Sequence, residues 1–141
     1  MTTSTVFDCS VVQLPRIKSG NGHISALEND VNLPFATRRV YYLYDVPGGE
    51  SRGGHAHREL QQLIVAASGS FTVRISDGTN TRSIHLNRPY FGLLMVPGLW
   101  RELEEFSSGS ICLVLASETY SEADYIREYD DFLAYKNVQP A

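Results

Sequence analysis

Arg52-Gly53-Gly54-His55-Ala56-His57-Arg58-Glu59 is the stretch that decides how this chain is read. On a strand, side chains at i and i+2 share a face, so the imidazoles of His55 and His57 project the same way. The chain holds four histidines in all. Two of them on one face, behind Gly53-Gly54 and flanked by Arg52 and Arg58, suit acid–base chemistry or a metal beside an anion.

Working outward, the neighbouring sequence alternates short apolar stretches with turn residues. Upstream, residues 11–14 and 24–28 read as strands around the turn Ser19-Gly20-Asn21-Gly22, and residues 36–46 read as a long aromatic strand closed by Pro47-Gly48-Gly49. Residues 55–66 read as one strand ending at Ser68-Gly69. Asp77-Gly78-Thr79-Asn80 between residues 70–76 and 81–86 is a strong hairpin signal. Strands at 92–96, 100–106 and 111–116 follow. No helix–strand alternation appears, so the expectation is an all-β sandwich or barrel. Past the strands, Ser121 stands as an N-cap with Asp124 at N3, and Tyr125, Ile126, Tyr129, Phe132 and Leu133 fall at helical spacing. One amphipathic helix is expected over residues 122–135, packed on the strands or on a partner subunit.

The bulk numbers narrow the class. A chain of 141 residues, 43% apolar and 20% charged, is expected to form one domain over residues 1–141, with its core at about 6–117. A net charge of −4 argues against a nucleic-acid binder. The local clusters Arg38-Arg39 and Arg52/Arg58 suit a small anion better. Cys9 and Cys112 share no metal-ligand spacing and read as thiols in a reducing compartment. No signal-peptide pattern opens the chain, and the apolar run 111–116 is far too short to span a bilayer. A cytoplasmic protein with no membrane partner is the expectation.

An all-β fold with His-x-His after a Gly-rich turn resembles the cupins. In metal-binding cupins the resemblance would imply a carboxylate four or five residues after the second histidine and a third histidine after a later Pro-Gly turn. Here Gln61 and Gln62 occupy the first region, and Leu99, Trp100 and Arg101 follow Pro97-Gly98. Two imidazoles rarely hold a catalytic metal, which usually takes three protein ligands, so no metal is expected.

On the strand before the glycine turn, Arg39, Tyr41, Leu43 and Asp45 share one face and Val40, Tyr42, Tyr44 and Val46 the other. Arg39 and Tyr41 are the expected companions of His55 and His57, while Tyr42 and Tyr44 are expected in the core. The candidate site then offers imidazoles that titrate near neutrality, a phenol, guanidiniums that fork onto phosphate, and Trp100 to cover a sugar or base. That set suits proton transfer on a nucleotide-linked small molecule.

With these segments in place, the chain resembles the sugar 3,4-ketoisomerases that act on dTDP-4-dehydro-6-deoxy-glucose, cupins related to the dTDP-sugar 3,5-epimerases. The likeness rests on Arg38-Arg39-Val40-Tyr41-Tyr42, Tyr44-Asp45-Val46, Arg52-Gly53-Gly54-His55-Ala56-His57, Gly92-Leu93, Pro97, Trp100, Phe106-Ser107-Ser108, Val114-Leu115-Ala116-Ser117, and Tyr120 with Asp124-Tyr125-Ile126-Arg127. It implies a cupin (jelly-roll) fold and an isomerisation through an enediol that needs no cofactor. It also implies His57 as the base at C3, with His55 assisting and Tyr41 as a third catalytic residue. Arg39, Arg52, Gln62, Trp100 and Arg101 are the implied substrate-binding residues.

The same resemblance implies a homodimer with exchanged strands and a product destined for a deoxy-amino-sugar of a surface glycan. Family members carry either His or Arg after the tryptophan, and Arg101 favours the gluco epimer at C4 over the galacto epimer. Many members have Arg-Gly where this chain has Asn21-Gly22. The competing readings are a 3,5-epimerase, which expects an isolated histidine with a tyrosine acid, a non-catalytic nucleotide-sugar-binding cupin, and a metal-dependent oxygenase.

Overall fold

Period-two alternation resolves into two five-stranded antiparallel sheets packed face to face, in a computed structural model that describes residues 3–138. The ends of the expected domain span, residues 1–2 and 139–141, lie outside the described residues. In spatial order, the first sheet is β1 (Ser10–Gln13), β9 (Phe91–Met95), β6 (Gln62–Ser68), β11 (Ile111–Ala116) and β4 (Arg39–Leu43). The second is β12 (Tyr125–Ile126), β5 (Arg52–His57), β10 (Trp100–Glu104), β7 (Phe71–Ser76) and β8 (Thr81–Leu86). A separate hairpin pairs β2 (Ile17–Ser19) with β3 (Gly22–Ile24). The sheets form a jelly-roll-like sandwich and do not close into a barrel.

Between the sheets lie Phe71, Val73 and Ile75 from β7, Ile64 and Ala66 from β6, Leu93 and Met95 from β9, and Cys112 and Val114 from β11. Phe71 stacks on Phe106 with ring centroids 5.2 Å apart. The outer face of β6 is apolar too: Leu63 and Val65 pack with Leu14 and Leu115 under Leu27, Leu33 and Phe35. That double burial explains the unbroken run Leu63-Ile64-Val65-Ala66, since a strand covered on both faces has no polar side. The β7–β8 hairpin forms where Asp77-Gly78 announced it, with Gly78 at φ +89° and Asp77 Oδ1 accepting from the amides of Thr79 and Asn80.

Several sequence expectations change. Residues 55–66 are two strands in different sheets, because the chain crosses over at residues 58–61. Side chains stabilise that crossing: Asp124 accepts from the amides of Glu59 and Leu60, and Ser117 Oγ from that of Gln61. The expected strand at 24–28 ends at Ile24, and the long strand shrinks to Arg39–Leu43, with Asp45 at φ +58° beyond it. Tyr42 and Tyr44 are not in the core; they are 58% and 61% exposed.

The helix of residues 122–135 is the largest change. Only α1 (Tyr129–Tyr135) is α-helical, and before it come a single 3₁₀ turn, Glu122–Asp124, and β12. Ser121 makes no side-chain cap. Tyr125-Ile126 instead joins the open edge of β5, pairing Tyr125 with His57 and Ile126 with Ala56. Backbone pairing at an unfilled sheet edge wins over helical spacing, because buried N–H and C=O groups must find partners. Phe132 and Leu133 are buried as the stripe required, against Trp100, Ala56 and Ile126. Each such burial contributes about 1.5–3 kcal/mol.

Candidate active site

β5 positions the site, held between β12 on one side and β10 on the other. Its alternation puts Ala56 outward against Trp100 and α1, and both histidines inward. The two imidazoles meet edge to face with centroids 4.9 Å apart. The ring of Tyr125 closes on both, 5.1 Å from His55 and 4.3 Å from His57.

The opposite sheet supplies the other half. Tyr41 on β4 and Gln62 on β6 meet Arg101 on β10 in a closed triangle. Tyr41 Oη accepts from Gln62 Nε2 at 2.9 Å and from Arg101 Nη2 at 3.0 Å, while Gln62 Oε1 accepts from Arg101 Nε at 3.0 Å. Arg101 is 4% exposed and, among the described residues, forms no ion pair. An uncompensated buried cation is costly in a structural core, so its presence here is a functional signal.

A cavity of about 810 Å³ opens in front of these groups, lined by Arg39, Tyr41, Arg52, His55, Arg101, Tyr125 and Arg127 together with Ser51, the two glycines of β5, Leu43 and Leu103. Four of these side chains are guanidiniums, and among the described residues only Arg127 is engaged by a carboxylate, that of Glu122. The lining therefore favours an anionic ligand of small-molecule size.

The imidazoles are tuned to stay neutral. Burial, then the charges of Arg101, His57 and Arg127, push His55 down to about 3. Burial and Arg101 lower His57 to about 4, against Asp124, which raises it through its charge and a hydrogen bond to Nδ1. Among the described residues, Nε2 of each ring is buried without a hydrogen-bond partner, as is Nε of Arg39. Buried polar atoms are nearly always paired, so unpaired nitrogens on two cavity-lining residues, His55 and Arg39, and on the ring packed against His55 are a functional signal.

The expected residues sort unequally. His55, Tyr41, Arg39, Arg52 and Arg101 converge on the cavity. His57 is 5% exposed, behind His55. Gln62 is 2% exposed and holds Tyr41 and Arg101 from beneath. Trp100 is elsewhere. Neighbouring residues on a strand face opposite ways, so with Arg101 inward Trp100 must point out. Its ring packs on Tyr129 and Phe132 at 5.2 and 5.8 Å and borders a separate cavity of about 280 Å³, which rules out a cover for ligand in the main one.

Sequence reasoning missed Asp124 as a partner of His57, and Tyr125 and Arg127 as lining. The i, i+2 spacing of Tyr125 and Arg127 was the available signal, and the helical stripe masked it. Arg127 lies 4.2 Å from the Tyr125 ring centroid, an arrangement that stiffens this wall.

A family model described as "FdtA: WxcM-like, C-terminal" matches residues 7–137. The chain is 42% identical over 125 residues to the TDP-4-oxo-6-deoxy-alpha-D-glucose-3,4-oxoisomerase of Aneurinibacillus thermoaerophilus, covering 89% of this chain and 90% of that one. It is 42% identical to a 3,4-ketoisomerase from Helicobacter canadensis, with TM-score 0.88 over 92% of this chain and 98% of that one. With WlaRB, a TDP-quinovose 3,4-ketoisomerase from Campylobacter jejuni, identity is 43% and TM-score 0.86 over 92% and 99% of the two chains. Fold, site chemistry and likeness converge: the chain belongs to the FdtA (WxcM-like) family of sugar 3,4-ketoisomerases and is an isomerase.

Proposed function

We propose that the chain converts dTDP-4-dehydro-6-deoxy-glucose to the dTDP-3-dehydro-6-deoxy sugar. The observation that carries this reading is a neutral, buried imidazole, His55, on the wall of a cavity rich in guanidiniums, with a second, His57, packed against it. A proton-transfer base must be unprotonated, and a nucleoside diphosphate must be held by cations. The relative from Aneurinibacillus carries this substrate in its name.

In this mechanism the C3–H bond breaks, its proton passes to imidazole, and its electron pair forms the C3=C4 bond of an enediolate. The former C4 carbonyl oxygen takes the negative charge, which Arg101 stabilises. The C4 oxygen then takes up a proton and becomes the hydroxyl. The C3 hydroxyl gives up its own, and C3 becomes the ketone as the C3=C4 pair takes a proton at C4. No electron leaves the sugar. His55 stands on the cavity wall and is the ring that meets C3–H, while His57 behind it carries protons for the oxygens. This assignment reverses the order that the resemblance implied, and its support is the placement of the two rings.

The product is the gluco epimer. In the gluco ring the C3 and C4 hydrogens lie on opposite faces, so C4 must be protonated from the face away from the base. Tyr41 offers a proton from the other sheet: both its partners donate to its oxygen, so its own hydrogen is free for the cavity. The likeness to a TDP-quinovose isomerase supports the same epimer, quinovose being 6-deoxyglucose. The 3-keto group is what an aminotransferase would consume in making an amino-sugar for a surface glycan. The reaction runs in the cytoplasm, where Cys9 and Cys112 stay thiols.

The working unit is a homodimer with exchanged strands. Among the described residues β4 ends the first sheet as an open edge, Val40 and Tyr42 along it and Tyr44 just past its end are each more than half exposed, and the β2–β3 hairpin pairs only with itself while exposing Ile17 and Ile24.

The test is ¹H NMR of dTDP-4-dehydro-6-deoxy-glucose in H2O with the purified protein, so that the hydrogen delivered to C4 is a proton. A 3-keto product with axial H4-to-H5 coupling is expected. Binding without turnover would leave a non-catalytic sugar-binding protein, and the galacto coupling would overturn the epimer.

A further inference from the structure

Asp124 sits where the 3₁₀ turn Glu122–Asp124 runs into β12, behind the histidine pair. Its Oδ2 lies 3.2 Å from Nδ1 of His57 and accepts from the amide of Leu60 at 3.3 Å, and its Oδ1 accepts from the amide of Glu59 at 2.8 Å. Its side chain is only 14% exposed. An ionised carboxylate can only accept, so the hydrogen of a neutral His57 ring is on Nδ1. Nε2 is then a free lone pair, and it is the buried ring nitrogen that has no partner among the described residues.

We propose that Asp124 is a positioning residue for the isomerisation: it locks His57 in the Nδ1–H tautomer, with Nε2 as the unprotonated nitrogen that takes up a proton, and supports the imidazolium formed when His57 carries it. This rests on the ketoisomerase reading. His55 on its own strand and Tyr125 on β12 pack on the ring, and the charges of Arg101 on β10 and Arg39 on β4 act on it. Both arginines oppose its protonation, and Asp124 is the acidic group that favours it. The same carboxylate ties down the β5–β6 crossing, so catalysis and backbone order share one residue.

The test begins without turnover, with ¹⁵N NMR of the histidine rings in the unmodified, ligand-free protein. His57 is expected to show a protonated Nδ1 and an unprotonated Nε2; the opposite tautomer would overturn the proposal. Asp124→Asn is then assayed against dTDP-4-dehydro-6-deoxy-glucose. The expected result is a kcat loss of about 10- to 1,000-fold with KM within about threefold, on the scale of losing a histidine-orienting carboxylate. The acid limb of kcat/KM should also move to lower pH, a shift that a merely structural role would not give. Unchanged kcat and profile, or a loss tracking lowered Tm alone, would overturn it. If the unmodified protein does not turn over this substrate, the ketoisomerase reading fails, while the tautomer still judges Asp124.

Discussion

Arg101 donates to the Tyr41 hydroxyl from within the core, Nη2 to Oη at 3.0 Å, and so couples a buried charge to a phenol of the opposite sheet. With Gln62 donating to the same oxygen, the phenol's hydrogen is left for the cavity. Tyr41→Phe removes that hydrogen and keeps the ring. Product formation is expected to fall about 100-fold or more, the usual worth of a positioned acid. Exchange of the C3 hydrogen with D2O should persist, because His55 and His57 are untouched. Equal loss of exchange and product in ¹H NMR would place Tyr41 at the first step instead.

Arg101→Met separates activity from stability. Met removes the desolvation cost of a buried charge and, against it, the hydrogen bonds to Gln62 and Tyr41, so Tm is expected to change by only a few degrees. Activity should fall at least about 100-fold through lost enediolate stabilisation. Arg101 also lowers both histidines, so its loss raises them and moves the acid limb of kcat/KM to higher pH. A larger fall in Tm together with an unmoved limb would mean that Arg101 is structural.

Much of this was legible in the residues. The turn at Asp77-Gly78, the inward pairing of His55 with His57, and the shared face of Arg39 and Tyr41 all follow from period-two geometry, which is local. What failed was set by partners distant in sequence. Whether Tyr125-Ile126 is helix or strand depends on the free edge of β5, some seventy residues earlier, and Asp124 is drawn to the amides of that crossing. The error at Trp100 was avoidable, since strand alternation forbids Trp100 and Arg101 from facing one cavity. Tyr42 and Tyr44 carry the same composition as core aromatics, and only the position of β4 at a sheet edge shows them exposed.

Acid should destabilise the protein in a defined window. The native state keeps His55 and His57 neutral down to about 3 and 4, whereas unfolded histidines protonate near 6.5. Between those values the unfolded chain binds more protons, so their contribution is intact above about pH 6.5 and is lost as pH falls. Each histidine adds a slope of up to about 1.4 kcal/mol per pH unit. Urea titrations from pH 7 to 4.5 should show this, and His55→Gln with His57→Gln should flatten it. An unchanged slope in the double variant would assign the acid sensitivity to carboxylates.

Gly54 is held to glycine by Trp100. A Cβ there would lie 2.5 Å from the indole Nε1 and 2.6 Å from Cε2, inside any tolerable contact. Gly54→Ala must push out the indole or bend β5 just before His55. Overpacking of this kind costs about 1–3 kcal/mol, so Tm should drop by several degrees. The chain has one tryptophan, so its fluorescence reports the displacement directly. An unchanged emission spectrum and Tm would mean that the strand and ring part without cost.

The open edge of β4 gives the last prediction. A strand with Val40 and Tyr42 exposed, Tyr44 exposed just past its end, and no neighbour on one side among the described residues is an aggregation hazard unless something pairs with it. A second copy fits, because the hairpin of β2 and β3 exposes its own Ile17 and Ile24 and is free to reach across. Sedimentation at micromolar concentration is expected to give twice the 15.7 kDa chain mass. Val40→Lys with Tyr42→Lys should shift the population to monomer by placing charges where backbones must meet. Loss of activity on dilution, parallel to dissociation, would show that exchanged strands complete the site. A protein that is monomeric throughout and fully active would leave these side chains as ordinary exposed surface and remove the dimer.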